Sequence, residues 1–358
     1  MKGFNYNILF IFVSCIGGLL LSLTGFSMGW VIGTLLTAAC LSFIRPDWIK
    51  KSISSKGLPK YWLNTGMYLL GIEIGLQINL AVINTFKEHF FIIIFTLLLS
   101  IIFSLLAGFL LWKWTSLSMM TSFISTTPGG LSVMAGIADE VGANTAVVSI
   151  VQTIRVLLVV FTIPLMLSFT AVSNPNLSSD LVTSGSPIWT TIAMLVGFLG
   201  YFIGKWIRIP APWLVGTMIG IAITQAVGAS IVHHDLHAWW PPVFFIFAQI
   251  FIGASIGSRF RKEMFIGVKK VIILSSITTI AFISAMMLCS YFVSKLTNLS
   301  FATAALAFSP GGIAEMSTAA LLYGADSTFV VAVQVLRVIL VCTILPHLYK
   351  MLNKRIAE

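Results

Sequence analysis

The chain has 358 residues, of which 58% are hydrophobic and only 9% charged, whereas an ordinary soluble domain carries about 25% charged residues. A mean hydropathy of +1.01 leaves too few polar residues to cover a water-soluble fold, which excludes a soluble enzyme, a DNA-binding regulator and a disordered chain. The formal net charge of +10 sits in short loops beside apolar runs, the positive-inside pattern of membrane topology rather than a phosphate-binding face, so no nucleic-acid partner is expected.

Apolar runs of about twenty residues, the length that spans a bilayer core, recur from end to end. They are continuous rather than alternating, which predicts helices and not a membrane β-barrel. The first run, near 7–23, follows Lys2 without a small-x-small cleavage site and is expected to be a retained transmembrane helix. Further runs follow near 27–44, 61–80, 89–112 and 144–170, with a segment interrupted by Pro-Gly-Gly near 116–141. A polar stretch, Ser173 to Ser186, contains no Lys or Arg. The second half repeats the order, with runs near 187–205, 211–229, 239–258, 268–293 and 326–349 and an interrupted segment near 299–323. Cys15, Cys40, Cys289 and Cys342 lie inside these apolar runs and show no metal-ligand spacing. His233, His234, Asp235 and His237 resemble metal ligands, but they fall in a loop beside Trp239 and Trp240, an interfacial belt, and no metal site is expected there.

The halves are one duplicated unit at a spacing of about 182 residues. Pro128-Gly129-Gly130 matches Pro310-Gly311-Gly312, Gly142-Ala143-Asn144 matches Gly324-Ala325-Asp326, and Gln152-x-x-Arg155 matches Gln334-x-x-Arg337. Of the 37 positions from 128 to 164, 15 are identical to their partners; shared apolarity alone does not align Pro, Gly, Gln and Arg in register. Earlier in each half, Trp30-Val31-Ile32-Gly33-Thr34 matches Trp213-Leu214-Val215-Gly216-Thr217, and Gly71 and Gly75 match Gly253 and Gly257. The expected organisation is a first membrane repeat over 1–172, a linker over 173–186 and a second repeat over 187–358. If each interrupted segment enters and leaves on one side, each half has five crossings and the halves are inverted. Lys and Arg then number 17 inside against two, Lys87 and Lys295, outside. That bias selects the inverted arrangement, in a plasma or inner membrane, with both termini cytoplasmic.

Inverted repeats with interrupted helices are the sequence signature of a secondary transporter. Proline lacks an N–H and paired glycines lower the cost of unwinding, so Pro-Gly-Gly predicts a helix break. Such a break exposes a helix N-terminus that attracts anions. The candidate substrate-binding residues are therefore Pro128, Gly129, Gly130, Gln152 and Arg155, with Pro310, Gly311, Gly312, Gln334 and Arg337. Gln and Arg three residues apart share a helical face, and an intramembrane Arg must pair or face water. It either binds a substrate carboxylate or serves as an internal countercharge for Asp139, Glu140 or Asp326. Glu315, in the first turn after the second Pro-Gly-Gly, is the leading ion-coupling candidate; a helix-capping carboxylate is the competing role. Glu73, Asp139 and Asp326 complete the coupling set.

The duplicated Pro-Gly-Gly, Gly-Ala-(Asn/Asp) and Gln-x-x-Arg units, preceded by Trp-(Val/Leu)-(Ile/Val)-Gly-Thr, resemble the membrane AbrB family, with its AbrB duplication, across essentially the whole chain. That family is similar to the cation–proton antiporter and bile-acid:sodium symporter superfamily and shares no fold with the small DNA-binding transition-state regulator of the same name. The resemblance implies a membrane transporter-like fold. The family's ammonia-monooxygenase and gene-regulation labels gain nothing from these residues, which hold no multi-histidine copper set and no DNA-binding domain. The expected function is proton- or sodium-coupled movement of a small anion or organic acid, by a non-enzyme without cofactors. Its expected partners are the lipid bilayer, a small-molecule or ion substrate and a second copy in a homodimer. A membrane sensor that affects gene expression, and an oxygenase, are the alternatives.

Overall fold

The computed structural model describes residues 2–26, 28–45, 57–77, 87–129, 134, 137–139, 141–170, 186–232, 239–260, 262 and 268–357. Among them there are helices and no β-strand. In chain order these are α1 (Lys2–Ser22), α2 (Gly29–Ile44), α3 (Lys60–Leu76), α4 (Phe90–Trp114), α5 (Met119–Thr126), α6 (Thr145–Thr170), α7 (Pro187–Trp206), α8 (Pro212–Val232), α9 (Pro242–Gly257), α10 (Lys269–Thr297), α11 (Phe301–Phe308), α12 (Ile313–Leu322) and α13 (Ser327–Ala357). Among the described residues, five stretches are long and apolar enough to cross a membrane: Phe90–Trp114, Thr145–Ser168, Ile188–Trp206, Lys269–Thr297 and Ser327–Leu345. Tyr6–Ser22, Gly29–Ile44, Pro212–Gln225, Pro242–Gly257 and Ile313–Leu322 are apolar but shorter. The 173–185 linker, Gly130 and the His233, His234, Asp235, His237 group lie outside the described residues.

The chain divides into two compact units, and each draws on both sequence halves. The first comprises Met1–Asn79, Val172–Lys262 and Leu321–Gly324; the second comprises Leu80–Ala171, Glu263–Ala320 and Ala325–Glu358. Packing units therefore do not coincide with the duplicated halves of the sequence.

In the first unit the helices pack in the order α1, α2, α9, α3, α8, α7. Glycine makes this possible, because small residues let helix backbones approach closely. A Cβ on Gly33 of α2 would lie 2.2 Å from the Gly17 carbonyl oxygen of α1. Its repeat partner Gly216 of α8 would meet the Gly200 oxygen of α7 at 2.5 Å. The exchange between halves is reciprocal. Gly71 of α3 faces Leu214 and Thr217 of α8, while Gly253 of α9 faces Val31 and Thr34 of α2. Gly75 then meets Met218 and Ile221, as Gly257 meets Leu35 and Ala38. Each half thus places its third helix against the second helix of the other.

The second unit packs α4 on α5, α5 on α6, α10 on α11 and α11 on α13, and joins the halves through α10 with α4 and α6. Its core gathers Ile101, Ile124, Met134, Val148, Val341 and Leu345. The short helices start alike. Ser118 caps α5 by accepting from the Thr121 N–H at 3.3 Å, and Ser300 caps α11 by accepting from the Thr303 N–H at 3.1 Å.

A test of the close approach follows from these distances. Gly216→Ala should lower the thermal midpoint of the detergent-purified protein, with an overpacking cost of about 1–3 kcal/mol. Gly204→Ala, whose Cβ would sit 3.1 Å from the Gly216 Cα, should cost less. Equal midpoints for both variants would remove the backbone contact as the reason for glycine.

Candidate functional site

Helix α11 stops at Phe308, Ser309–Gly312 is non-helical, and α12 begins at Ile313. Helix α5 stops at Thr126, and Thr127, Pro128 and Gly129 are non-helical. A helix end leaves its last carbonyls without intrahelical donors. In a hydrocarbon environment water does not pair them, and each unsatisfied group costs several kcal/mol.

The Gln-x-x-Arg units supply the missing donors. Gln334 Nε2 on α13 donates to the carbonyls of Leu306 at 2.8 Å, Ala307 at 3.2 Å and Ser309 at 3.2 Å. Gln152 Nε2 on α6 donates to the carbonyls of Ile124 at 3.2 Å, Ser125 at 2.9 Å and Thr127 at 2.8 Å. These acceptors occupy equivalent places in the two repeats. Arg155 Nη1 donates to the Thr127 carbonyl at 2.9 Å. Arg337 Nη1 donates to the Ser309 carbonyl, and its Nη2 to the Gly311 carbonyl at 2.8 Å and to Gln334 Oε1 at 2.5 Å. A cation at a helix C-terminus also complements the negative end of the dipole. The side chains read from sequence as substrate ligands thus bond first to the carbonyl ends of the short helices.

The return into the next long helix is also duplicated. Gly142 and Gly324 adopt φ of 71° and 62°, a left-handed conformation that favours glycine. The Asn144 N–H donates to Thr121 Oγ1 at 3.0 Å, and the Asp326 N–H to Thr303 Oγ1 at 3.1 Å. Asn144 Oδ1 then accepts from Val147 N–H at 3.2 Å, and Asp326 Oδ1 from Phe329 N–H at 2.9 Å. Asp326 is exposed and caps α13; Asp139 is exposed as well. The Ser118–Thr121 and Ser300–Thr303 pairs escaped the sequence reading, although their identical place in the repeat was a usable signal. Two methionines at matched positions of the repeat, Met134 and Met316, cover the glycines. A Cβ on Gly129 would lie 2.2 Å from Met134 Cε, and one on Gly311 would lie 2.7 Å from Met316 Cγ.

Glu315 is the third residue of α12, and its carboxylate folds back onto the start of that helix. A Cβ on Gly312 would lie only 1.9 Å from Glu315 Oε2. This is the position from which a capping-box acid reaches the first amides. Arg155 lies in the field of the Glu315 carboxylate, and Arg337 in the field of Arg155. Arg155, Arg337 and Glu315 are 4%, 2% and 9% exposed, and they are the buried charged side chains among the described residues. Among the described residues, Glu315 is the buried acid in whose field Arg155 lies, while Asp139 and Asp326 are exposed; Glu140 lies outside the described residues. Glu73 belongs to the first unit, where it accepts from Gln77 Nε2 at 2.6 Å.

The capping role has a direct test. Gln334→Leu removes the donor to three buried carbonyls, at about 1–3 kcal/mol for each group left unpaired. Its thermal midpoint should fall well below that of Gln225→Leu, which loses one half-buried bond to the Leu76 carbonyl. A midpoint for Gln334→Leu at or above that of Gln225→Leu would contradict it.

The chain matches the family model AbrB, described as "Transition state regulatory protein AbrB", over residues 30–353. It is 45% identical over 354 residues to "Uncharacterized protein YhjN" of Bacillus subtilis (strain 168), covering 96% of this chain and 92% of that protein. It is 25% identical over 284 residues to "Putative regulator AbrB" of Escherichia coli (strain K12), covering 78% of this chain and 79% of that protein. Its paired Pro-Gly-Gly and Gln-x-x-Arg units thus stand within a match that runs almost from end to end, and the chain belongs to the AbrB family.

Proposed function

We propose that this protein is a secondary transporter of a small anion or organic acid, coupled to protons or sodium, in a plasma or inner membrane. The observation that carries the reading is the buried cluster of Arg155, Arg337 and Glu315 beside the start of α12. Buried ionisable groups at membrane depth are expensive, and they mark substrate and ion pathways. The non-helical Ser309–Gly312 stretch adds support, because irregular backbone is tolerated at membrane depth only inside protein or beside a wet cavity. The reciprocal glycine contacts of the first unit fit a frame built from two copies of one unit.

In this reading the two halves are inverted repeats of five crossings each, with Pro-Gly-Gly as the helix break and both termini cytoplasmic. The short helices of each half enter and leave on one side. Coupling runs through Glu315, with Glu73 as a second carboxylate. The protein is not an enzyme and uses no cofactor or metal; it works in lipid, as a homodimer. A second reading is a membrane sensor that binds the same anion without net flux. It is favoured by the regulator descriptions of the family and of the Escherichia coli relative.

Topology is tested with single cysteines in a background lacking the four native ones. Ser54→Cys and Ser178→Cys should label from opposite faces of the membrane. Labelling of both from the cytoplasm would make the halves parallel and sink the inverted arrangement.

Transport is tested in liposomes with labelled small carboxylates under an imposed proton or sodium gradient. Uptake above protein-free liposomes is expected, and Gly311→Val should abolish it while leaving expression near the wild-type level. Absence of uptake, with carboxylate-dependent thermal stabilisation retained, would favour the sensor.

A further inference from the structure

We infer that the start of α12 is a site for one small monocarboxylate, held by Arg155, Arg337 and the first amides of α12, and that the Glu315 carboxylate is a tethered anion that occupies the site when no ligand is bound. The inference rests on the proposal above only in assuming that a ligand reaches this place.

Charge is the first ground. Among the described residues the buried cluster holds two guanidinium groups and one carboxylate, an excess of one positive charge. An uncompensated buried charge costs several kcal/mol even after relaxation. A ligand of one negative charge closes the balance when Glu315 moves off the start of α12 but stays within the field of Arg155, and a dianion overshoots it. Among the described residues, the acids of neighbouring elements do not change this count, since Asp139 and Asp326 are exposed.

The donors are the second ground. Among the described residues, the Nε atoms of Arg155 and Arg337 are buried and have no hydrogen-bond partner, although both side chains are otherwise engaged. A guanidinium presents its N–H groups in a fixed fork that matches a carboxylate. These two come from opposite repeats, and each lies in the field of the other or of Glu315. Gln152 Oε1, also buried and without a partner among the described residues, offers an acceptor for a ligand hydroxyl or for the acid proton.

The third ground is the cradle. The space above the Gly312 Cα holds a carboxylate oxygen, 1.9 Å from where a Cβ would stand. Any other residue there would fill the space. The carboxylate that fills it belongs to Glu315, a flexible side chain, and in the other half Val133 stands at the equivalent place. The tethered anion is thus carried by the second half alone.

An external carboxylate and Glu315 then compete for the same donors. The test uses the full-length protein in detergent, with thermal stability followed against sodium acetate and, at equal ionic strength, sodium chloride. Glu315→Gln should respond to acetate at about tenfold lower concentration than wild type, roughly the effect of removing one helix-end anion. Glu315→Asp, which keeps the charge on a shorter arm, should shift in the same direction by less. Succinate should stabilise wild type less than acetate does, and Glu315→Gln should narrow that gap. An unchanged or weaker acetate response in Glu315→Gln would overturn the inference, as would acetate acting no better than chloride. If neither Glu315 variant folds, the carboxylate is a structural cap and the inference falls too. Binding needs no flux. Protein that binds acetate as stated but moves nothing across liposomes would contradict transport alone, whereas flux with acetate binding indifferent to Glu315 would contradict this inference alone.

Discussion

Everything in the second unit depends on how carbonyls at the ends of two eight-residue helices are paired away from water. A helix that stops inside a low-dielectric region exposes acceptors that cost several kcal/mol each if left alone. Here one glutamine amide on each following long helix serves three of them, and an arginine three residues on adds a second donor to the last of the three. The two side chains work together because i, i+3 positions share a helical face. Satisfying backbone with a charged residue has a consequence. It sets two buried cations in each other's field and leaves Glu315 as the buried acid among the described residues. The structural device and the candidate site are therefore the same atoms.

The first unit solves a different problem with different residues. Lipid offers no hydrophobic drive between helices, so contact must come from close packing. Glycines on α1, α2, α7 and α8 bring backbones together, and those on α3 and α9 reach across to the other half. Each half lends its third helix to the second helix of its counterpart. A unit assembled this way has no core of its own within one sequence half.

Much of this was legible in the chain. The register of the duplication pairs Gly33 with Gly216, Gly71 with Gly253 and Gln152 with Gln334, and each pair makes equivalent contacts in the structure. The place of Glu315 in the first turn of a helix followed from its distance to Pro-Gly-Gly, a local rule. The targets of Gln and Arg were not legible, because their acceptors lie more than twenty residues earlier and backbone carbonyls leave no mark on sequence. Asp326 looked like a coupling acid, yet it caps α13 much as Asn144 caps α6; the Asn/Asp alternation at that position was the clue. The interleaving of the halves into two packing units also escaped, since hydropathy gives the helices but not their neighbours.

Transporter and sensor share this architecture and differ only in whether binding leads to flux. Both need an anion to reach the donors that Glu315 now covers. The most direct measurement is a pair of high-resolution cryo-EM maps of the protein in lipid nanodiscs, one with acetate and one without. The account predicts that the Gln152 and Gln334 amides stay on the short-helix carbonyls in both maps. With acetate, it predicts density beside Arg155 and Arg337 and a Glu315 side chain swung away from Gly312. A helix continuous through Ser309–Gly312, or a Glu315 that holds its place with no ligand density at saturating acetate, would contradict it.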